Sequence, residues 1–151
     1  MIAYDYEHFK NDAKTLSSLC REFQADTIVA VARGGMTLAH ALAMALDIRN
    51  VQSVRAESYD GDCQRDTITV SGKCDFLDSS RILIVDDIVD SGQTLASLMP
   101  QLRSEYPHCE FKTVALFTKS TALLQPDYSL HEATDWIDFF WERDYLKSDL
   151  L

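Results

Sequence analysis

The spacing of hydrophobic and polar residues divides the first third of the chain into three elements. Five apolar residues share helical spacing: Phe9, Ala13, Leu16, Leu19 and Phe23. They predict an amphipathic helix from about Asp5 to Phe23. The β-branched and apolar stretch from Thr27 to Ala32 predicts a buried strand, and the Ala- and Leu-rich run from Met36 to Leu46 predicts a second helix.

The clearest strand lies in the middle of the chain. Ile82 to Val85 are four consecutive aliphatic residues without polar alternation, which is typical of a strand covered on both faces in a parallel sheet. The spacing from Leu95 to Leu102 predicts a helix after it, and Val51 to Ser58 and Phe111 to Phe117 predict further strands. We therefore expect an α/β fold, with a mainly parallel twisted sheet flanked by helices.

Length and composition indicate one globular domain spanning residues 1–151. Of the 151 residues, 46% are hydrophobic and 25% are charged, which is ordinary for a globular protein with a real core. The start of the chain has no signal-peptide pattern and no apolar run approaches a membrane span, so we expect a cytoplasmic protein. The four cysteines lack metal-ligand spacing, which favours reduced thiols over a zinc site or disulfides.

The net charge of −10 makes nucleic acid an unfavourable partner, because Lys and Arg must neutralise its phosphates. A small anionic ligand remains compatible with this charge. A few local cations, backbone amides and Mg²⁺ can bind such a ligand despite repulsion from the net negative charge of the chain.

The residues after the central strand indicate a ligand site. Parallel sheets bind ligands at the carboxyl ends of their strands, and this strand ends in Asp86, Asp87 and Asp90. The first two carboxylates repel each other unless a cation or a diol bridges them, which suits ribose hydroxyls with Mg²⁺. Gly92 permits close backbone approach, and unpaired amides at the following helix start bind phosphate. The combination is suited to a ribose phosphate.

Two alternatives exist for this stretch. Acidic residues and Ser91 at a strand end can simply cap the next helix. Paired acids also occur in phospho-acceptor domains of the receiver type, but there the pair follows the first strand, whereas here it follows residue 80. The whole string from Asp86 to Thr94 resembles the phosphoribosyl diphosphate (PRPP) signature of type I phosphoribosyltransferases.

That resemblance implies the type I phosphoribosyltransferase fold, with a flexible hairpin loop and a small C-terminal hood. It implies that PRPP and its phosphates are bound by seven residues of the signature: Asp86, Asp87, Asp90, Ser91, Gly92, Gln93 and Thr94. It also implies Mg²⁺ as the cofactor, with Asp87 as the residue at the metal.

The turn Arg33-Gly34-Gly35 follows the first predicted strand and is a candidate diphosphate cradle. Two glycines allow several amides to point at one anion, and Arg33 adds positive charge. The alternative is a flexible turn with a surface arginine. The turn resembles the diphosphate loop of the family, in which the peptide matching Ala32–Arg33 is often cis, so Arg33 and Gly34 are expected to bind PRPP.

The polar region from Glu57 to Asp75 contains a short β-like patch from Thr67 to Val70, and we interpret it as a mobile flap. An ordinary surface hairpin is the alternative. Ser58-Tyr59 resembles a dipeptide on the catalytic loop of 6-oxopurine phosphoribosyltransferases. Such loops close over the reacting centre and exclude water.

The C-terminal part of the chain supplies candidate purine-binding residues. Lys119 follows the last predicted strand, and Trp136-Ile137 begins an aromatic cluster that ends at Trp141. Aromatic residues near a terminus usually close a core, which is our interpretation of Phe139 to Trp141. Lys119 with Trp136-Ile137 resembles small bacterial xanthine-guanine and hypoxanthine-guanine phosphoribosyltransferases, in which the lysine contacts purine O6 and the aromatic ring stacks on the base.

The resemblance implies a purine salvage enzyme that transfers phosphoribose from PRPP to guanine, xanthine or hypoxanthine. The products are a nucleoside monophosphate and diphosphate, and Asp90 is the catalytic residue, placed at purine N7. It also implies a homo-oligomer, either a dimer or a tetramer. Two alternatives remain: an RNA-binding regulator with the same fold, which the acidic charge disfavours, and a phosphoribosyltransferase for adenine, orotate or uracil.

Overall fold

The computed structural model describes residues 1–59 and 67–146. The helices are α1 (Tyr6–Cys20), α2 (Met36–Leu46), α3 (Gln93–Glu105) and α4 (Phe140–Arg143). The longer strands are β2 (Thr27–Ala32), β3 (Asn50–Tyr59), β4 (Thr67–Ser71), β5 (Arg81–Val85) and β7 (Glu110–Val114). The short strands are β1 (Ile2–Tyr4), β6 (Ile88–Val89), β8 (Phe117–Thr118), β9 (His131–Glu132) and β10 (Ile137–Phe139).

The five longer strands form one sheet in the order β4-β3-β2-β5-β7. Strands β3, β2, β5 and β7 are parallel, and β4 is antiparallel to β3. The register pairs Ala30 with Val85 and Val85 with Val114, so β2, β5 and β7 end close together at one edge. The expected α/β fold with a mainly parallel sheet is confirmed.

Both faces of the sheet are covered, which explains the unbroken apolar run in β5. Leu83 packs into a core shared with α1 and α2, whereas Ile82 and Ile84 pack into a second core beneath α3. All three side chains are fully buried. A strand with two buried faces has no position for a polar side chain, and the sequence pattern follows from that.

The strand predicted from Phe111 to Phe117 is two strands. β7 ends at Val114, where the Ala115 amide donates to the Tyr128 carbonyl at 3.0 Å. β8 begins at Phe117 and pairs in parallel with β6 and β9 in a separate sheet. Apolar residues continue through β7 and β8 because both strands are buried. The sequence pattern therefore does not show where the chain changes its hydrogen-bonded neighbour.

A small hood covers the carboxyl edge of the main sheet. It consists of the sheet β6-β8-β9, the pair β1-β10, and α4. β1 and β10 are parallel, with Ile2 opposite Ile137. Elements of two or three residues carry no periodicity, so the hood was expected from the resemblance alone.

The flap prediction falls partly outside the described residues. β3 and β4 form an antiparallel hairpin with Ser58 opposite Ile68, whereas residues 60–66 and the side chains of Ser58 and Tyr59 lie outside the described part. No helix within the described ranges has the length and apolar character needed to cross a membrane.

Candidate active site

The acidic pair, Asp86 and Asp87, directly follows β5 at the carboxyl edge of the sheet. The backbone fixes its position, since the Asp86 amide donates to the Val114 carbonyl at 3.0 Å and the Asp87 carbonyl accepts from the Leu116 amide at 3.0 Å. Each carboxylate also accepts one amide: Oδ1 of Asp86 from Asp87 at 2.9 Å, and Oδ1 of Asp87 from Ile88 at 2.7 Å. Both carboxylates are therefore held in place before any ligand binds.

Burial disfavours the charged form of both acids. It raises the pKa of Asp86 well above the ordinary value, and the neighbouring charge of Asp87 raises it further. Burial also raises the pKa of Asp87, against opposing hydrogen bonds from Asp86 and the Ile88 amide. Neither carboxylate forms an ion pair with a residue in the described ranges. A bound cation would relieve this repulsion.

The turn after β2 lies against the acidic pair. A Cβ atom at Gly34 would lie 2.5 Å from Oδ2 of Asp87, so only glycine fits there without displacing the carboxylate. The Ala32–Arg33 peptide is cis, and Arg33 is exposed and lines the same cavity as the acidic pair. A cation and a glycine turn therefore lie beside the two carboxylates.

Residues 90–94, which we predict to bind phosphate and call the phosphate loop, lead into α3. Gly92 is the N-cap residue with φ +82°, a conformation that side chains rarely adopt, and a Cβ atom there would lie 2.8 Å from the Leu124 amide nitrogen. A cavity of about 220 Å³ lies at this helix start, lined by Ser91, Gly92 and Thr94. The Gln93 amide donates to the Ser91 hydroxyl at 3.2 Å, and Gln93 lines neither this cavity nor the larger one.

The larger cavity, of about 500 Å³, joins the phosphate loop to the hood. At its wall Nζ of Lys119 and Oδ1 of Asp90 form an ion pair at 2.7 Å. Trp136 lines the cavity with 71% of its surface exposed, and Ile137 lines it as a buried residue. A planar ring entering here would meet an apolar face, an ammonium and a carboxylate.

Backbone hydrogen bonds between distant segments of the hood place these side chains. The Lys119 amide donates to the Val89 carbonyl at 2.9 Å, which ties the lysine to the strand before the phosphate loop. The Ile2 amide donates to the Trp136 carbonyl at 2.8 Å, so the N-terminal strand holds the tryptophan segment. The positions of the residues predicted to bind a purine therefore depend on contacts between distant parts of the sequence.

Nine of the predicted site residues line the larger cavity: Arg33, Gly34, Asp86, Asp87, Asp90, Thr94, Lys119, Trp136 and Ile137. The other nine cavity residues were not predicted as site residues: Val31, Ala32, Ala56, Ile88, Ala133, Thr134, Asp135, Phe139 and Glu142. Thr134 and Asp135 directly precede Trp136, and this adjacency is the one signal that could have identified them. Burial raises the pKa of Glu142, and the charge of Asp87 raises it further.

Trp141 belongs to the core as expected, but it also has an unexpected polar feature. Its ring stacks on Phe139 with 4.6 Å between centroids, and it packs against the core beneath α1 and α2. Its indole N–H is buried without a hydrogen-bond partner among the described residues, and it lies near enough to Asp87 to lower the pKa of that carboxyl. A donor therefore faces the acidic pair from the hood.

The acidic pair suits a magnesium ion that the substrate helps to bind. Mg²⁺ in such sites takes one or two carboxylates, and water and substrate oxygens complete its octahedron. Within the described ranges, no cluster of three or more metal-ligating side chains occurs. The chain therefore offers two adjacent carboxylates, and a ligand rich in oxygen would have to provide the rest.

The sequence matches the family described as phosphoribosyl transferase domain over residues 5–147. The fold is similar to the Helicobacter pylori xanthine-guanine-hypoxanthine phosphoribosyltransferase, with 35% identity, a TM-score of 0.89, and coverage of 99% of this chain and 97% of that one. It is also similar to a purine phosphoribosyltransferase from Pyrococcus horikoshii, with 28% identity, a TM-score of 0.82 and 93% coverage of both chains.

Proposed function

The chain belongs to the phosphoribosyl transferase domain family, and we propose that it is a purine salvage enzyme. It transfers the phosphoribosyl group of PRPP to a 6-oxopurine, giving a nucleoside monophosphate and diphosphate. The similarity to two purine phosphoribosyltransferases, one 35% identical over nearly the whole chain, supports this assignment. The family match over residues 5–147 supports treating the chain as one such domain.

One observation carries the proposal: a single cavity of about 500 Å³ brings together groups suited to the ribose, the diphosphate and the base. The acidic pair and Arg33 suit the charged ribose and diphosphate, and Trp136 with Lys119 suits an oxygen-bearing aromatic base. The second cavity at the start of α3 suits the 5′-phosphate. The two cavities share Asp90 and Thr94, so one ligand can occupy both.

The ion pair between Lys119 and Asp90 supports the choice of a 6-oxopurine. Purine O6 accepts hydrogen bonds and N7–H donates them, and the two atoms are on the same edge of the ring. A base that separates the ion pair can give O6 to the ammonium and N7–H to the carboxylate, so both charges keep a partner. A 6-aminopurine presents donors to the ammonium and leaves it unpaired.

Asp90 then acts as the proton partner of the base. Removal of the N7 proton by the carboxylate raises electron density on the ring, and N9 becomes the better nucleophile. As N9 bonds to the sugar carbon and diphosphate leaves, positive charge develops on the sugar and negative charge on diphosphate. Arg33 and the amides of its glycine turn stabilise the leaving group.

Magnesium is the proposed cofactor, with Asp87 as the residue at the metal and Asp86 beside it. When bound, Mg²⁺ neutralises the charge on the diphosphate oxygens and orients the ribose hydroxyls. Ser58 and Tyr59 remain proposed residues of a closing loop, and Gln93 remains a proposed PRPP contact through its backbone. The cytoplasmic location and the dimeric or tetrameric assembly stay predictions.

A substrate panel tests the proposed function. The purified protein is incubated with PRPP and Mg²⁺ and one of five bases (guanine, hypoxanthine, xanthine, adenine or uracil), and diphosphate release is measured. We expect turnover with at least one 6-oxopurine and none with adenine or uracil. Turnover only with adenine or uracil would leave the family membership intact and remove the 6-oxopurine assignment.

A further inference from the structure

The segment from Lys119 to Gln125 connects the purine side of the cavity to the phosphate loop; we call it the 119–125 bracket. At one end the Lys119 amide donates to the Val89 carbonyl at 2.9 Å. Further along, the Leu123 amide donates to the Ser91 carbonyl at 2.8 Å. The bracket is thus attached at two points to the stretch that carries Asp90.

Gln125 closes the bracket through its side-chain amide. Its Nε2 donates to the Lys119 carbonyl at 2.9 Å, and its Oε1 accepts from the Thr118 hydroxyl at 3.1 Å. The carbonyl of Lys119 can only accept, which fixes the orientation of the amide group. The same carbonyl also accepts a hydrogen bond from the Ala122 amide at 3.1 Å. One main-chain donor and one side-chain donor therefore hold the Lys119 carbonyl in place.

Gln125 lines neither of the two substrate cavities, so we expect it to affect binding indirectly. Lys119, by contrast, has a long side chain whose ammonium must meet Asp90 and the base within hydrogen-bond distance. Because both ends of that ion pair are substantially exposed, the side chain gains little order from packing. A shift of the Lys119 backbone would therefore move the point from which this flexible side chain reaches Asp90 and the base.

We propose that Gln125 is a positioning residue that fixes the main chain of Lys119 and thereby sets the affinity for the purine base. The inference rests on the proposed function, because it takes Lys119 as the group that contacts purine O6. Gln125 affects base binding through Lys119. The PRPP site, which the phosphate loop forms from backbone amides, depends on it much less.

The test compares Gln125→Leu, which keeps the size of the side chain and removes both hydrogen bonds, with the wild-type chain. Gln125→Met is the second variant, and Gln101→Leu is the control, since Gln101 is exposed on α3 and lines neither substrate cavity. We expect KM for hypoxanthine to rise about 3- to 10-fold in both Gln125 variants. The values of kcat and KM for PRPP should change less than about twofold, and the control should match wild type.

A double-mutant cycle separates positioning from a general structural effect. In a Lys119→Ala background, Gln125→Leu should raise KM for hypoxanthine no further, because the positioned group is gone. An additive rise, or an unchanged KM in the single Gln125 variants, contradicts the positioning role while leaving the proposed function in place. Absence of transfer to any 6-oxopurine by the wild-type protein contradicts the proposed function, and the positioning role fails with it.

Discussion

The proposed phosphate side of the site, residues 86–94, and the proposed purine side, Lys119 with Trp136 and Ile137, are built in different ways. The phosphate side comes from one continuous stretch, β5 through the start of α3, at the end of a long strand in a parallel sheet. The purine side comes from short strands paired over long sequence distances, such as β1 with β10. The first is a local motif attached to a regular scaffold, and the second exists only when the whole chain has folded.

The two sides also offer different groups to a ligand. The phosphate side offers backbone amides and depends on a tight turn at Gly92, so added bulk should damage it. The purine side offers exposed side chains, Trp136 and Lys119, which can be truncated without disturbing a core. We therefore expect variants of the phosphate side to lose affinity for the nucleotide, and variants of the purine side to change affinity for the base or choice among bases.

Asp90 joins the two sides, and its substitution should have the largest effect. Asp90→Asn keeps the size of the side chain and removes the proton acceptor, so kcat should fall about 10²- to 10⁴-fold while PRPP affinity is largely kept. Steady-state kinetics and calorimetry measure the two quantities. Asp78→Asn, at an exposed position away from both cavities, is the control. Near wild-type kcat in Asp90→Asn would exclude Asp90 as the base.

Gly92→Val tests the phosphate side. The branched side chain meets the Leu124 amide and forces a residue with φ +82° out of its conformation, so affinity for a nucleoside monophosphate should fall about 10-fold or more. Isothermal calorimetry measures that affinity. Gly72→Val is the matched control, because Gly72 also has positive φ but lines neither substrate cavity. If a folded Gly92→Val variant binds the nucleoside monophosphate as tightly as wild type does, the loop does not hold the 5′-phosphate.

Trp136→Ala tests the purine side with a smaller expected effect. Loss of stacking should raise KM for every purine about 2- to 10-fold, without changing the order of preference. Leu77→Ala removes an exposed apolar side chain away from the site and serves as the control. If KM rises for one base alone, Trp136 contacts a substituent of that base and does not act as a general stacking surface.

Asp86→Asn should change stability in a pH-dependent way. Because burial raises the pKa of Asp86 in the folded state, ionisation costs stability as pH rises from the unfolded pKa, about 3.9, through the folded one. Without metal, Asp86→Asn should therefore melt a few degrees higher than wild type at pH 7. The gain should disappear near pH 3.5, and thermal unfolding with a chelator present measures it. A lower melting temperature at pH 7 would show that the carboxylate stabilises the fold.

The same contrast explains how much could be predicted from the sequence. The bounds of β2 and α2 were predicted to the residue, because β-branched and Ala-rich runs carry strong local signals. The residues from Asp86 to Thr94 were proposed as one unit from a local signature, and their binding roles stay predictions. Gln93 lies at the start of α3 and lines neither cavity, so its proposed role rests on the signature alone.

The purine side could be predicted only as single residues. Lys119, Trp136 and Ile137 were proposed from the resemblance, but nothing local indicates that Lys119 pairs with Asp90 or that Trp141 faces Asp87. The division of Phe111 to Phe117 into β7 and β8 was missed because the change of hydrogen-bond partner leaves the apolar pattern intact. Such features depend on tertiary pairing, which periodicity does not report.

Lys119 is proposed to select a 6-oxopurine, and the relative activity on two bases measures that selection. Hypoxanthine and adenine differ at the 6-position, so kcat/KM for hypoxanthine over adenine is measured in wild type and in Lys119→Ala. We expect a large ratio in wild type and a ratio about 10- to 100-fold smaller in Lys119→Ala, because the variant has no ammonium that disfavours a 6-amino group. An unchanged ratio in a folded, active variant would show that another group selects the base.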